Sequence, residues 1–327
     1  MPGTRLATSG SESTMNRDFD CAADIHLPFM AAHGSACRCA LHSRRLFTGA
    51  LVGAAALPGA VLAQPIPECK RSTFANMAPA QQIEQAAGQQ YRQMLQQASD
   101  KRALGPKDHP QVQRLRAIAQ RIIPFTAECN EAARSWRWEV NLIGSDQLNA
   151  FCMPGGKIAF YYGILAKLQL DDDEVAAIMG HEVSHALLEH ARERMGKTMA
   201  TRGAIEIGAA IFGLGSTGRL LGDMSGQLLT LRFSRDDESE ADALGLILSA
   251  KAGYDPRAGV TLWQKMLAAN KGAPPQWLST HPSGDTRIKD MEARLPRVAP
   301  LYAAAEKPAQ RFGPPAVKAT AASGSAG

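Results

Sequence analysis

The chain has 327 residues, of which 45% are hydrophobic and 20% are charged, and this allows one or two domains with a substantial core. It contains 36 lysines and arginines against 31 aspartates and glutamates, a formal net charge of +5. No basic block is interleaved with aromatic residues, so the composition gives no indication of nucleic-acid binding.

The first 63 residues are predicted to be a twin-arginine export signal. Ser43–Thr48 contains the paired arginines, Gly49–Ala60 is a run of small apolar residues, and Val61–Ala63 has the composition of a cleavage site. An uncleaved membrane anchor is the alternative, but the apolar run is short for a bilayer span. We expect a periplasmic protein cleaved near Ala63, with no membrane span in the mature chain and at most peripheral membrane association.

Residues 64–110 are expected to form an extended arm and a helix. Apolar residues recur at helical spacing in Pro79–Ser99 and again in Val112–Ile122, which predicts two amphipathic helices. Cys69 and Cys129 are candidates for a disulfide that ties the arm to the body in an oxidising compartment.

The next segments are predicted to be strands. Apolar and polar residues alternate in Trp136–Leu142, as in a strand with one buried face. Asn149–Met153 and Lys157–Tyr161 flank the turn sequence Pro154–Gly156, which predicts a β-hairpin. A short helix over Tyr162–Leu168 should follow.

The segment from Met179 to Ala186, MGHEVSHA, gives the strongest chemical signal in the chain. His181 and His185 are four residues apart on a predicted helix, so two imidazole nitrogens project from one face and can bind a single Zn²⁺ ion. Glu182 has the position of the general base that activates water in metallopeptidases. The helix is predicted to begin after Asp171 and to run toward Arg194. A chance pair of histidines on a core helix is the alternative, so a third ligand has to be found.

Glu238 is the predicted third ligand, in a second helix over Gln227–Ala252. Asp242 lies one turn further on the same face and would accept the N–H of a ligand histidine, fixing its tautomer. His190 is disfavoured as a ligand because it follows His185 by five residues, a spacing unlike that of the longer three-histidine motif. The alternative is that the acidic residues of this second helix form a solvent-exposed face and bind no metal.

The remaining segments carry little chemistry. Gly203–Leu214 is apolar but too short to span a bilayer, and Gly213–Gly226 is either a flexible lid over the cleft or a plain linker. Tyr254–Pro256 should open another helix. Past Pro296 the composition predicts a disordered tail over residues 297–327.

Three blocks, Asn149–Gly156, His181–His185 and Glu238–Asp242, occur in this order and together resemble the HtpX and CAAX-prenyl-endopeptidase family of zinc metallopeptidases. Among its members the chain is most similar to the soluble periplasmic ones. The resemblance covers about Gln111–Leu295, which places a peptidase domain at 111–296. It implies an α+β, mostly helical, zincin-like fold with one zinc ion per chain and a small antiparallel sheet whose edge strand lies beside the metal.

The resemblance also implies roles for other residues. In the family the edge strand of the hairpin pairs with an extended substrate peptide, and a structural hairpin is the alternative. The residues carried over are Asn149, Ala150, Phe151, Cys152, Met153, Gly155 and Gly156. A His-Pro segment lies near the metal in the family, so His281 is a candidate for stabilising the oxyanion or for taking the fourth zinc position, the alternative being a histidine that supports a turn. Arg287 is expected to pair with an acidic residue of the zinc helices.

The predicted function is that of a zinc-dependent endopeptidase in which Glu182 takes a proton from water and passes it to the leaving amine. The expected partners are unfolded or extended protein substrates, and the family suggests misfolded or damaged envelope proteins in protein quality control. One alternative is a periplasmic holding or assembly factor that does not cleave. Another is a structural zinc protein in which His281 closes the metal site.

Overall fold

The computed structural model describes residues 68–211, 232–269, 276–282 and 286–316. Within them the protein is mostly helical with one small sheet, as predicted. The helices are α1 (Ala80–Asp100), α2 (Pro110–Ile122), α3 (Tyr162–Lys167), α4 (Asp172–Leu187), α5 (His190–Ile211), α6 (Arg235–Lys251), α7 (Ala258–Ala269), α8 (Gln276–Thr280) and α9 (Arg287–Ala304). The predicted export signal over residues 1–63 and the Gly213–Gly226 segment lie outside the described residues. None of the described helices is long and apolar enough to cross a bilayer.

The sheet has three strands, β1 (Glu139–Ile143), β2 (Ala150–Met153) and β3 (Lys157–Tyr161), in the order β1-β3-β2. β2 and β3 form the predicted antiparallel hairpin, while β1 runs parallel to β3. The sheet is therefore mixed, and the prediction of an antiparallel sheet was wrong. The cause is the path of the chain after β1. β2 does not pair with β1 but lies two positions away in the sheet, and β3 returns to fill the position between them, so that β2 is an edge strand.

The turn between β2 and β3 explains why the hairpin could be predicted. Gly155 and Gly156 have φ angles of 80° and 76°, which residues with a side chain rarely adopt. A Cβ at Gly156 would also lie 2.7 Å from the ring of Trp138. Glycine is required here for both reasons, and the turn brings Met153 opposite Lys157.

The sheet is covered on both faces. Ile158 and Phe160 of β3 belong to the main hydrophobic core with α2 and α4, whereas Ala159 belongs to a second core with α1. Tyr91 of α1 also donates its hydroxyl hydrogen to the carbonyl of Ile158 at 2.5 Å. Residues of alternating direction are thus buried on opposite sides, as the period of a strand requires.

Helices α4 and α6 cross at two glycines. A Cβ on Gly180 would lie 2.8 Å from the carbonyl oxygen of Gly245, and a Cβ on Gly245 would lie 2.8 Å from the backbone nitrogen of His181. No side chain fits between these backbones, so the close approach of the two helices requires glycine at both positions. The crossing sets the predicted ligand pair on α4 against the acidic first turns of α6.

The ends of these two helices differ from the prediction. α4 starts as expected, with a capping box between Asp171 and Glu174, but it ends at Leu187 instead of continuing toward Arg194. Glu189, with a φ of 61°, turns the chain before α5 starts at His190. α6 starts at Arg235 behind its own cap, Ser234, later than the predicted Gln227.

The amino-terminal arm lies against α5. Cys69 and Cys129 are joined in a disulfide, as predicted, across 60 residues of sequence. Arg192 donates two hydrogen bonds to the carbonyl of Ala78. A Cβ at Gly196 would lie 1.8 Å from the carbonyl oxygen of Phe74, so the arm and the helix are in direct backbone contact.

The described part of the carboxyl-terminal tail is ordered, contrary to the prediction for residues 297–327. α9 continues to Ala304, and Val298 in its last turns is buried. The backbone N–H groups of Phe312 and Gly313 donate to the carboxylate of Asp172 at 2.8 and 3.2 Å. Composition suggested disorder, but the buried Val298 and Pro315 and these hydrogen bonds hold the segment on the body. Residues 317–327 lie outside the described part.

Candidate metal centre

His181 and His185 face each other on α4, both almost completely buried. Their Nε2 atoms are 3.1 Å apart. Burial lowers the pKa of His185 well below its ordinary value, and the neighbouring His181 and His190 lower it further. Its imidazole is therefore neutral, the form in which histidine binds a metal.

Glu238, from the first turn of α6, completes a three-residue donor set. Its carboxylate oxygens lie 3.6 Å from Nε2 of His181 and 3.5 Å from Nε2 of His185. Ligand atoms about 2.1 Å from a tetrahedral zinc ion are about 3.4 Å apart. Two imidazoles and one carboxylate at these separations fit Zn²⁺, which accepts nitrogen and oxygen ligands in this geometry.

The pKa of Glu238 suits a ligand. Burial alone would raise it, but the charge and hydrogen bond of His281, the guanidinium of Arg287 and the charge of His181 together lower it to about 2. The carboxylate is thus ionised at neutral pH.

His281 lies in the fourth position. Its Nδ1 atom is 2.9 Å from Oε1 of Glu238 and 3.2 Å from Nε2 of His181. One donor atom from each of the four residues can be chosen so that all lie within 4.8 Å of one another. The structure therefore brings His281 to the predicted ligands, and it packs there against Trp277, whose ring centroid is 4.9 Å away.

Asp242 and Arg287 support the ligands from behind. The Asp242 carboxylate lies 2.9 Å from Nδ1 of His181, the contact predicted for it. Arg287 donates to both oxygens of Asp242 at 2.6 and 2.7 Å and to Glu238 at 2.5 Å. Its guanidinium also stacks on Trp263, 3.7 Å from the ring centroid. Arg287 was expected to pair with one acidic residue of the zinc helices, and it pairs with two residues of α6, Asp242 and Glu238.

Glu182 lies beside the donor set. Its carboxylate accepts a hydrogen bond from the indole of Trp277 at 2.6 Å and lies 3.5 Å from Nε2 of His281. Burial raises its pKa to about 7, against the opposing effects of His181 and of the Trp277 hydrogen bond. A carboxyl group with this pKa can both accept and release a proton near neutral pH.

A cleft opens in front of Glu182 and His185. One wall is the outer edge of β2, and residues Asn149–Pro154 line it together with Phe233 and Thr280. Cys152, the free cysteine among the described residues, is buried in this strand, and burial raises the pKa of its thiol. Gly155 and Gly156 form the turn at the end of the strand and do not line the cleft.

Three contacts at the site were not predicted from the sequence, those of Trp277, Phe233 and His190. Trp277 precedes His281 by four residues, and that helical spacing was a signal that could have revealed it. Phe233 stacks on His185 with ring centroids 3.9 Å apart, and no pattern in the sequence points to this contact. His190 is outside the four-residue donor set, in line with its rejection as a ligand, yet it touches His185 from the other side.

An HExxH helix, a glutamate from a second helix, a base beside them and an open strand edge define a site of the metallopeptidase class. The family model described as peptidase family M48 matches residues 109–295, and the chain belongs to this family. The resemblance to a family of zinc metallopeptidases, inferred from the three sequence blocks, is thereby confirmed at the level of the M48 family. Metallopeptidases of this family use zinc.

Curated relatives share this part of the chain. The mitochondrial metalloendopeptidase OMA1 of Schizosaccharomyces pombe is 33% identical over 216 residues, covering 63% of this chain and 59% of the relative. The protein of the same name from Arabidopsis thaliana is 40% identical over 152 residues, 46% of this chain and 30% of the relative. The beta-barrel assembly-enhancing protease of Escherichia coli is 28% identical over 173 residues, 49% of this chain and 35% of the relative. The chain thus spans less than two thirds of the length of each of these relatives.

Proposed function

We propose that this protein is a zinc-dependent endopeptidase that hydrolyses peptide bonds of extended protein segments. The observation that carries the proposal is the position of Glu182, a buried carboxyl group held by Trp277 next to a donor set that fits Zn²⁺. A site that only stabilised the fold would not need a base of this kind facing an open cleft.

The residues divide the chemistry between them. His181, His185 and Glu238 would hold the metal, which when bound polarises the scissile carbonyl and acidifies water. Glu182 accepts the proton of the attacking water and delivers it to the leaving amine, and its pKa of about 7 suits both steps. Asp242 and Arg287 keep the ligands oriented.

The edge of β2 would bind the substrate by strand addition. Within the described residues β2 pairs with β3 on one side only, so its other side offers backbone groups to an extended peptide lying in the cleft. The residues proposed for this role are Asn149, Ala150, Phe151, Cys152 and Met153, with Gly155 and Gly156 shaping the turn. Backbone pairing favours unfolded or damaged proteins as substrates, since folded proteins offer few free extended segments.

We further propose that the protein acts in the periplasm on misfolded envelope proteins, after export and cleavage near Ala63. The twin-arginine motif in Ser43–Thr48 supports this location. The name of the E. coli relative refers to assembly of β-barrels, which supports the same location, whereas the two OMA1 relatives are named as mitochondrial. Detection of the intact signal on membrane-bound protein in a fractionated cell would favour an uncleaved anchor instead.

Removal of the metal tests the proposed activity. The purified full chain should contain one zinc ion and cleave unfolded casein, and a chelator such as 1,10-phenanthroline should abolish cleavage until zinc is restored. Zinc measured by atomic absorption and casein fragments on a gel give the two readouts. Zinc without any cleavage would support the alternative of a holding factor that does not cleave.

His281 is proposed to close the site in a resting state, since its Nδ1 atom lies at ligand separation from His181 and Glu238. We expect His281→Ala to cleave casein several-fold faster while binding zinc about tenfold more weakly, as one ligand of four is lost. Steady-state rates at saturating zinc check this. A fall in kcat with zinc affinity unchanged would assign His281 to stabilisation of the oxyanion instead.

A further inference from the structure

We propose that His190 is a positioning residue for the metal site, which fixes the tautomer of His185 by accepting its Nδ1 hydrogen and relays this hydrogen bond to Glu240. The inference rests on the proposed metal site and adds a residue to it that is neither a ligand nor in the cleft. It is carried by two contacts, one on each nitrogen of the His190 ring.

The first contact fixes the direction of the hydrogen bond. Nδ1 of His190 lies 2.8 Å from Nδ1 of His185, so one ring must donate and the other must accept. A metal binds imidazole through a lone pair, and the Nε2 atom of His185 is the one that faces His181 and Glu238. In the metal-binding tautomer the hydrogen of His185 is therefore on Nδ1, and His190 must be the acceptor.

The second contact makes His190 a good acceptor. With Nδ1 free to accept, the hydrogen of the neutral His190 ring is on Nε2, which lies 3.3 Å from Oε2 of Glu240. The carboxylate of Glu240, with half of its side chain exposed, stabilises this tautomer. The order of donation is thus from His185 to His190 to Glu240, and each member fixes the tautomer of the one before it.

The two metal-binding histidines are supported in different ways. His181 donates directly to a buried carboxylate, Asp242, which Arg287 holds in turn. His185 donates to a neutral imidazole, and the carboxylate stands one step further away. Without His190, the buried Nδ1 hydrogen of His185 would have no acceptor among the described residues. The tautomer with its hydrogen on Nε2 would then be favoured, and it has no lone pair on Nε2 for the metal.

The break between α4 and α5 is what brings His190 to this place. On a continuous helix, a residue five positions after His185 would lie about 140° around the axis from it. α4 ends at Leu187, Glu189 adopts a φ of 61°, and α5 starts at His190. The ring is 1% exposed, so it is held between the two helices and is not a surface side chain that meets His185 by chance.

Two isosteric substitutions at His190 distinguish this role from simple packing. Asn places its side-chain oxygen near the position of Nδ1, whereas Gln reaches the position of Nε2. We expect His190→Asn to bind zinc within about threefold of the unmutated chain, and His190→Gln and His190→Leu to bind it about 10- to 100-fold more weakly. Zinc dissociation constants come from competition with a chromophoric chelator on the full chain. Thermal unfolding of the zinc-free proteins shows whether each variant folds.

Two further variants serve as controls, one at an exposed position of α5 and one at Glu240. Thr201→Ala, at an exposed position of α5, should leave zinc affinity unchanged. Glu240→Ala should weaken binding less than His190→Leu, because water can accept from the exposed side. Equal zinc affinities for the Asn and Gln variants would overturn the inference while leaving the metal site in place. Absence of zinc binding by the unmutated chain would instead overturn the metal site itself.

Discussion

Glu182→Gln should keep its full zinc content and lose about 10²- to 10⁴-fold in the rate of casein cleavage, the range for removal of a general base. The amide has nearly the shape of the carboxyl group, and its oxygen can still accept the hydrogen bond from Trp277 that Glu182 accepts at 2.6 Å. It cannot take a proton from water. The substitution therefore separates binding of the metal from chemistry, and both are measured on one preparation, zinc by atomic absorption and kcat by fragment release.

Glu193→Gln is the matched control for this substitution. Glu193 is also largely buried, but it pairs with Lys197 on α5 and does not face the donor set. Its variant should cleave at the unmutated rate. Retention of more than a tenth of the activity by Glu182→Gln would remove Glu182 from the mechanism, because a general base typically contributes about 10²- to 10⁴-fold.

Arg287→Met should destabilise the protein by about 3–5 kcal/mol, the cost of breaking a buried ion pair by removal of one partner. Arg287 is 6% exposed and donates to both Asp242 and Glu238, which are themselves buried. Methionine fills much of the volume but leaves Asp242 and Glu238 in the core without the guanidinium that pairs with both. The free energy of unfolding in urea, measured on zinc-free protein, gives the loss directly.

Two further variants test whether charge or shape is responsible. Arg287→Lys keeps the charge but cannot reach both carboxylates with a fixed fork of donors, so we expect an intermediate loss. Arg294 lies two turns further along α9 and donates one hydrogen bond to Ser239 at 3.0 Å. Arg294→Ala is expected to change the free energy of unfolding by no more than about 0.5 kcal/mol. If Arg287→Met cost no more than Arg294→Ala, the buried pair would have no role in stability.

The parts of the site that were predictable depend on residues close together in sequence. The pairs His181 with His185 and Glu238 with Asp242 are each four residues apart, so the period of a helix alone places them on one face. The cap at Asp171 and the turn at Gly155 and Gly156 are equally local, and the structure has them as expected.

Other features depend on the path of the chain and could not be predicted in this way. The pairing of β1 with β3 is set by the segment between β1 and β2, and the alternation within β1 is the same for either neighbour. The contact of His190 with His185 requires the positive φ of Glu189, a residue that rarely adopts one. The composition past Pro296 predicted a disordered tail, yet α9 continues through Pro296 and Pro300. They are four residues apart and both exposed, so water can satisfy the carbonyls that lose their helical partners.

The proposed pairing of substrate with the outer edge of β2 would determine what limits the rate of proteolysis. Backbone groups are the same in every sequence, so a cleft that pairs with them responds mainly to how often a segment of the substrate is open and extended. When opening is fast compared with cleavage, the rate follows the equilibrium population of the open form. Two proteins with the same residues around the scissile bond would then differ about tenfold in lifetime for each 1.4 kcal/mol in the free energy of local opening. The selectivity of such an enzyme would be a property of its substrates' stability more than of their sequence.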